Sequence, residues 1–246
     1  MLFAVKRKSR KVVRFLLEMN VVSKNANHCN GSKVSALSIA CGSGSMEMVK
    51  LLVEEGAQVD YSGNNNIDKF ILGGISIGES DNPGDNVLTP LMCAARHDHA
   101  EIIKYLVEEA GANIETQDKK RRTALFSSLE GTPNAEALKM LLQLGANPYV
   151  KDERGETALH VAAAHNRSKM AEILLEKEPS LNDALDDDDK MPIHHAISNE
   201  EWQRNRKGNM EVFRVLLRFN PDLDYRDHGH GMNLLHHAIS DGVDVE

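Results

Sequence analysis

The amino-acid sequence predicts an all-α protein, a solenoid built from repeated helix–turn–helix units. Three observations support this fold class: the chain matches itself at a fixed period, each copy carries apolar residues at helical spacing, and a glycine follows the second apolar segment in three copies. The 246 residues are 41% hydrophobic but only 4% aromatic. This composition favours small aliphatic side chains packed between helices.

A leucine or isoleucine near the start of each copy marks the repeat. The equivalent positions are Leu2, Leu37, Leu91, Leu125, Leu159, Ile193 and Leu235, and the three steps between Leu91 and Ile193 are equal in length. The clearest copies read LTPLMCAARHDHAEIIKYLVEEAGANIE from Leu88 and ETALHVAAAHNRSKMAEILLEKEPSLN from Glu156. One such unit cannot bury both of its faces, so we expect stacked units to share a continuous core.

Each helix of the unit has a recognisable start or stop. A threonine whose hydroxyl is placed to cap the first helix opens three copies, at Thr89, Thr123 and Thr157. A proline occupies the first helical turn, where a missing N–H costs nothing, at Pro90 and Pro192. Glycines that we expect in the left-handed conformation end the second helix at Gly56, Gly111 and Gly145.

The motif T-(P/A)-L-x-x-A-A, followed by an aliphatic helix and Gly-Ala, resembles the ankyrin-repeat family. It is clearest at Thr89–Ala95 and Thr157–Ala163, and the resemblance covers nearly all of residues 1–246, taken as one domain. About five units are complete, with a truncated unit at each end. The resemblance implies helix pairs joined by β-hairpin or turn fingers. It also implies a concave groove, formed by finger tips and first helices, that binds protein partners.

The spacing departs from this constant period at two places. Roughly 20 extra residues near 63–85 are rich in Asn and Gly and predict a mobile inter-repeat loop. Its apolar centre, FILGGISIG, is either a docking strand or a segment that folds back on the repeats. Eight extra residues at 200–207, EEWQRNRK, separate the helices of one unit and carry the only tryptophan.

Both chain ends fall inside a repeat, and no polar capping repeat is recognisable. We therefore expect an exposed apolar end face, and a chain that is a piece of a longer protein or an incomplete gene product.

The formal net charge of −8 is unevenly distributed, because residues 1–33 carry +7 and the remainder −15. The basic runs at Lys6–Lys11 and Lys119–Arg122 resemble nuclear import signals, and a solvated turn is the alternative interpretation of each. No aromatic residues interleave with these runs and the rest of the chain is acidic, so we do not expect nucleic-acid binding.

Three cysteines without close spacing argue against a disulfide framework and a CxxC zinc site. The longest apolar run, of about nine residues, is far below the roughly 20 that span a bilayer, and no secretory leader is visible. We predict a cytoplasmic protein that does not insert into a membrane, with nuclear entry through Lys6–Lys11 as the alternative.

The acidic run DDDDK at Asp186–Lys190 admits three interpretations: a protease cleavage site, part of a metal site, or an inter-repeat turn. Asp152 lies one repeat period before Asp186, and Asp118 lies one period before Asp152, so the run is in register with two other turns. We therefore interpret it as a finger tip.

Three histidines, His160, His194 and His236, share one repeat position, where the family resemblance implies a hydrogen bond between adjacent units. Equivalent positions in stacked helices lie roughly 10 Å apart, too far for one metal ion. We predict no metal site and no cofactor.

No GxSxG elbow, phosphate-binding loop or HExxH motif is present, so we predict a non-catalytic protein-binding module. The resemblance places these residues on finger tips: Lys119, Lys120, Arg122, Glu153, Arg154, Glu156, Asp187, Asp188 and Lys190. It places these on the exposed edge of first helices: Arg96, His97, Glu130, His165 and Asn199. Trp202 is a candidate anchor on the insertion, unless it packs on its own repeat.

The predicted groove runs from basic to acidic, which matches a partner segment that is acidic and then basic. Three roles remain open: a stand-alone adaptor or scaffold, the regulatory segment of a larger channel, kinase or ligase, and a nuclear regulator imported through Lys6–Lys11.

Overall fold

The computed structural model describes four stretches of the chain, together with isolated residues 5, 7–9, 11, 233, 234 and 236; the stretches are 35–60, 88–132, 134–197 and 210–226. Unit 1, residues 1–146, and unit 2, residues 147–246, are separately compact. The predicted loop at 63–85, the insertion at 200–207 and the residues Asn199 and Trp202 lie outside the described part.

Unit 1 contains three described helix pairs, in which a seven-residue first helix precedes a second helix of eight or nine residues. They are α1 Ala36–Gly42, α2 Met46–Glu54, α3 Pro90–Arg96, α4 Ala100–Glu108, α5 Ala124–Glu130 and α6 Glu136–Gln143. The first helices pack in the order α1, α3, α5, and the second helices pack in the order α2, α4, α6. This layering confirms the predicted stack of repeats within unit 1.

Unit 2 repeats the same arrangement with α7 Ala158–Ala164, α8 Ser168–Lys177, α9 Pro192–Ile197 and α10 Met210–Arg218. A 3-10 helix, Pro179–Asp183, follows α8 and packs on it. Helix α7 packs on α9, and α8 packs on α10. Over the described stretches of both units the regular structure is helical, and none of these helices is long and apolar enough to span a bilayer.

The core follows from the size of the side chains on each helix. The first helices are short and rich in alanine, so they bury nearly every residue, including Ala162 and Ala163. The second helices bury one aliphatic face, which in α4 consists of Ile102, Ile103 and Leu106. Each such buried aliphatic side chain contributes about 1.5–3 kcal/mol of hydrophobic stabilisation, so the repeat interface is the main source of stability.

The helix ends agree with most of the predicted signals. The hydroxyl of Thr89 accepts the N–H of Met92 at 3.2 Å, which confirms the predicted cap of α3. Thr123 also stands at the N-cap of α5, but the backbone is more extended there, with ψ of 179° against 163° at Thr89. Its hydroxyl makes no capping hydrogen bond, so that part of the prediction was wrong. The predicted left-handed glycines are confirmed, with φ of +82°, +73° and +88° at Gly56, Gly111 and Gly145.

Candidate functional site

Three finger turns share one hydrogen-bond pattern, built on a buried aspartate at the first position: Asp118 in unit 1, Asp152 and Asp186 in unit 2. In each turn Oδ1 of the aspartate accepts two backbone N–H groups, from the second and fourth residues after it, at 2.8–3.0 Å. The N–H of the aspartate donates to the carbonyl of the fourth residue at 2.9–3.0 Å. These aspartates are therefore turn formers, and the two residues after each of them carry side chains that are more exposed than the aspartate itself.

The DDDDK run divides accordingly into structural and exposed residues. Asp186 is buried in the turn, whereas Asp187 and Asp188 are exposed at its tip. Asp189 has φ of +59°, the left-handed conformation that reverses the chain before α9. The interpretation of this run as an inter-repeat finger tip is confirmed.

In unit 1 the finger turn holds its own cation. Nε and Nη2 of Arg122 donate to Oδ2 of Asp118 at 3.0 and 2.8 Å, and Nη1 donates to the carboxylate of Glu130. Arg96 lies 3.8 Å from the same Glu130 carboxylate. Arg122 and Glu130 were predicted to contact a partner, but their charges are satisfied by each other and by Asp118. Lys119 remains exposed and Lys120 half-buried on this turn.

Unit 2 contains a cleft of about 760 Å³ between its two finger turns and its first helices. Six of the residues predicted to contact a partner line this cleft: Glu153, Arg154, Glu156, His165, Asp187 and Asp188. The structure adds four that the sequence reasoning did not include: Val161, Ala164, Asp186 and His195. The place of His195 near the cleft could have been predicted from sequence, because it directly follows His194, which occupies the repeat position of His160.

The remaining predicted residues lie apart from the cleft. Arg96 and His97 end α3 in unit 1, and Lys190 closes the second turn of unit 2 without lining the cleft. Asn199 and Trp202, outside the described residues, stay predictions.

Direct contacts hold the two finger turns of unit 2 against each other. The N–H of Asp187 donates to the carbonyl of Arg154 at 3.0 Å, and Nζ of Lys151 donates to the carbonyl of Leu185 at 2.7 Å. The cleft is therefore bounded by a fixed pair of turns, and its acidic tips keep a defined spacing.

Two histidines lie beneath these turns. Nδ1 of His160 accepts the N–H of Thr157 at 3.1 Å, so Nε2 carries the proton and donates to the carbonyl of Lys190 at 3.0 Å. This is the hydrogen bond between repeats that the resemblance implied. Nε2 of His195 lies 2.7 Å from Oδ2 of Asp186, and the two imidazole rings meet edge-on with centroids 5.2 Å apart.

His160, Asp186 and His195 converge more closely than the sequence predicted, with one potential ligand atom of each within 4.8 Å of the others. The prediction of no metal site applies to equivalent repeat positions, whereas His195 lies one residue beyond such a position. A metal ion at Nε2 of His160 would break the bond to Lys190 and move the proton to Nδ1, against the N–H of Thr157. Hydrogen bonds alone account for the cluster, and Asp186 with His195 are the two groups left as possible ligands.

The pKa values reflect burial in this region. Burial, reinforced by the neighbouring His195, lowers the pKa of His160 to about 4, so its ring is neutral at pH 7. Burial alone would raise the pKa of Asp186, but the hydrogen bonds from His195 and from the N–H of Lys190 lower it below its ordinary value. Burial raises the pKa of Glu156, and the carboxylates of Asp152 and Asp186 add to this rise against the opposing charges of His195 and Arg154.

Comparison with known proteins is consistent with this architecture. The sequence profile described as ankyrin repeats matches in three copies, over residues 1–69, 59–152 and 129–205. The ANK repeat-containing protein nipk-1 of Caenorhabditis elegans is 30% identical over 118 residues, which cover 45% of this chain and 19% of that protein. The transient receptor potential cation channel subfamily A member 1 of Drosophila melanogaster is 29% identical over 139 residues, or 53% of this chain and 11% of the channel.

The nuclear factor NF-kappa-B p105 subunit of Gallus gallus is 27% identical over 166 residues, or 65% of this chain and 16% of that subunit. The chain thus spans less than a fifth of the length of each of these three relatives.

Proposed function

Because this chain belongs to the ankyrin-repeat family, we propose that it is a non-catalytic adaptor or scaffold that binds a protein partner through its finger turns and first helices. The observation that carries this proposal is the unit 2 cleft, which gathers six of the residues expected to contact a partner. Its walls include the exposed charged side chains of Glu153, Arg154, Asp187 and Asp188, on turns that internal hydrogen bonds hold in place. A rigid concave surface with exposed charges suits recognition of another protein.

The charges of the turns suggest the polarity of the partner. Lys119 and Lys120 make the unit 1 turn basic, and Asp187 and Asp188 make the second turn of unit 2 acidic. We propose that the partner presents an acidic segment to the first and a basic segment to the second. Rim charges of this kind steer association and set specificity more than they add affinity, so binding should weaken as the salt concentration rises.

The set of contact residues is narrower than the sequence suggested. Arg122 and Glu130 pair within unit 1, so we assign them to the stability of the turn rather than to the partner. Asn199 and Trp202 are kept as proposed contacts.

The alternative function is that of a regulatory repeat segment within a larger protein such as a channel, kinase or ligase. The observation that favours it is that the chain spans less than a fifth of three of its relatives, one of which is a cation channel by name. Sequencing full-length transcripts would distinguish the two, since the alternative requires coding sequence beyond that for this chain.

For the location we propose the cytoplasm, with entry into the nucleus through Lys6–Lys11 as the alternative. Imaging a fluorescent fusion would test this, because neutralising the lysines and arginines of that run abolishes nuclear signal only if the run acts as an import signal.

Site-specific photocrosslinking tests the proposed function directly. A photoreactive amino acid replaces Glu153, which is exposed and lines the cleft, or Glu176, which is exposed on α8 outside the cleft. We expect crosslinked proteins from cell extract at position 153 that are absent at position 176. Equal crosslinking at both positions, or none at 153, would contradict binding through the cleft.

Charge reversal then measures the contribution of each turn. We expect Asp187→Lys with Asp188→Lys, and separately Lys119→Glu with Lys120→Glu, to weaken binding of the crosslinked partner at least tenfold. The matched control is Glu176→Lys, which changes charge to the same extent per residue on α8. A partner held equally by all of these variants would show that the turns are not its binding surface.

A further inference from the structure

The cleft of unit 2 has the volume of a small-molecule pocket and an unbalanced charge. Its volume of about 760 Å³ lies within the range of small-molecule pockets, roughly 300–1,000 Å³. Five carboxyl groups line it, against the single guanidinium of Arg154. Val161 and Ala164 add apolar surface from α7, so the cleft offers both carboxylates and a place for an aliphatic chain.

Three of the carboxylates have no hydrogen-bonded or ion-paired partner among the described residues, although the charges of His195 and Arg154 act on one of them, Glu156, at a distance. The side chains of Glu156, Asp187 and Asp188 form no hydrogen bond or ion pair with other residues of the described stretches. Glu156 is half-buried, and its raised pKa reflects burial beside the carboxylates of Asp152 and Asp186. A carboxylate in such surroundings gains stability from a cation placed next to it.

The finger turn of unit 1 shows which cation the same backbone accommodates. Its fifth residue is Arg122, whose guanidinium binds Oδ2 of Asp118 and the carboxylate of Glu130. The fifth residue of the equivalent turn in unit 2 is Glu156, so the charge at this position is reversed. In unit 2 the turn aspartate, Asp152, therefore has a carboxylate as its neighbour where Asp118 has a guanidinium.

We propose that the unit 2 cleft binds an arginine side chain of a partner protein, with its guanidinium between Glu156 and the tip carboxylates Asp187 and Asp188. This proposal rests on the proposed function, and it names the chemical group of the partner that the acidic turns of unit 2 recognise. A planar guanidinium has five N–H donors, enough to bind two carboxylates at once, and its three-carbon stem fits against Val161 and Ala164. The phosphate backbone of a nucleic acid is excluded by the same five carboxyl groups.

The test uses the full chain and a defined probe, N-acetyl-arginine amide, titrated while backbone amide resonances are followed by NMR. We expect saturable shifts at Gly155 and Asp187, which lie where the two turns meet. N-acetyl-citrulline amide has nearly the same shape without the charge, and we expect it to bind at least tenfold more weakly. Equal binding of the two probes, or no saturable shift with arginine, would overturn the proposal.

Two variants locate the binding within the cleft. Glu156→Gln removes one charge without removing a hydrogen bond, and Asp188→Asn does the same at the exposed tip; each should weaken the arginine probe at least fivefold. Glu176→Gln, an exposed site on α8 outside the cleft, should leave the affinity unchanged. Unchanged affinity in both cleft variants would overturn the assignment.

Calcium chloride alone distinguishes a general cation site from a guanidinium site. If calcium produces the same shifts and displaces the arginine probe at equal concentration, the cleft is a cation site and the proposal is wrong. We expect no displacement by calcium beyond that produced by sodium at equal ionic strength. If the arginine probe fails while a protein still crosslinks at position 153, the proposed function stands and only this inference falls.

Discussion

Gly155 lies so close to Asp187 that a methyl group on its Cα would collide with the Asp187 carboxylate and come within 2.6 Å of its backbone nitrogen. Gly155 also has φ of +73°, a conformation that side chains disfavour. One residue therefore meets two requirements: it reverses the chain in the first turn of unit 2 and lets the second turn pack against it. The acidic cleft depends on this contact, because it sets the spacing of the two tips.

Replacing Gly155 with alanine should destabilise unit 2 through both strain and collision. Gly145 is the natural comparison, since its φ of +88° is similar but no atom lies within 4 Å of an added methyl group. We expect Gly145→Ala to lower the free energy of unfolding by about 1 kcal/mol and Gly155→Ala by about 2–4 kcal/mol. Urea denaturation followed by circular dichroism measures both. Equal losses in the free energy of unfolding for the two variants would mean that the two finger turns of unit 2 can move apart without cost.

The four aspartates of the DDDDK run should differ sharply in their contribution to stability. The Asp186 carboxylate accepts hydrogen bonds from two backbone N–H groups and from Nε2 of His195, whereas Asp188 is exposed at the tip. Hydrogen bonds to a charged group are each worth about 1.5–3 kcal/mol, so the loss of all three in Asp186→Ala should lower the free energy of unfolding by at least about 4 kcal/mol. Asp188→Ala should change it by less than about 0.5 kcal/mol.

Thermal melts of these two variants at pH 7 check the expectation. If both variants have the same melting temperature as the unaltered chain, Asp186 is not the turn former that its hydrogen bonds indicate.

The repeat architecture could be predicted from sequence because it rests on local, periodic signals. The leucine that recurs once per unit, the Thr-Pro start at Thr89 and the glycine at Gly111 each report on their own unit, and their meaning does not depend on distant residues. The turn at Asp186 was predictable for the same reason, since Asp152 repeats it in register. The missing cap at Thr123 was not predictable from sequence, because the residue type does not determine the backbone angle ψ. This angle is 179° at Thr123 and 163° at Thr89.

The cleft was only half predictable. Family resemblance placed Glu153 and Asp187 on finger tips, but the partners of each charge depend on side-chain directions. Arg122 binds Asp118 and Glu130, while Glu156, at the same turn position, forms no such pair and is acted on by the charges of two carboxylates as well as of His195 and Arg154. Sequence spacing gives the position of a residue along the repeat but not this pairing, so neither the ion pairs of Arg122 nor the place of Asp186 and His195 in the cleft was predicted.

Removal of the Arg122 guanidinium should separate stability from binding in unit 1. Its side chain is only 14% exposed, and Arg122→Gln leaves the buried carboxylate of Asp118 without its cation. We expect a loss of about 1–3 kcal/mol in the free energy of unfolding. Lys119→Gln, on the exposed neighbour, should leave stability within about 0.5 kcal/mol and weaken partner binding instead.

The comparison is made by urea denaturation and by the affinity of the crosslinked partner. The reverse pattern, with stability lost in Lys119→Gln and binding lost in Arg122→Gln alone, would contradict our assignment of Arg122.

His160 should make the stability of unit 2 depend on pH. Its pKa is about 4 in the folded protein and near 6.5 when unfolded, so between these values the unfolded chain binds more protons. The free energy of unfolding therefore falls as the pH is lowered from about 6.5 towards 4. Near pH 4.5 the loss caused by His160 reaches roughly 2–3 kcal/mol. His160→Gln removes it, so the stability lost on mutation should be larger at pH 7 than at pH 4.5 by that amount. Urea denaturation of the unaltered chain and the variant at both pH values measures this loss, and an equal loss at both would mean that the ring of His160 can be protonated while buried.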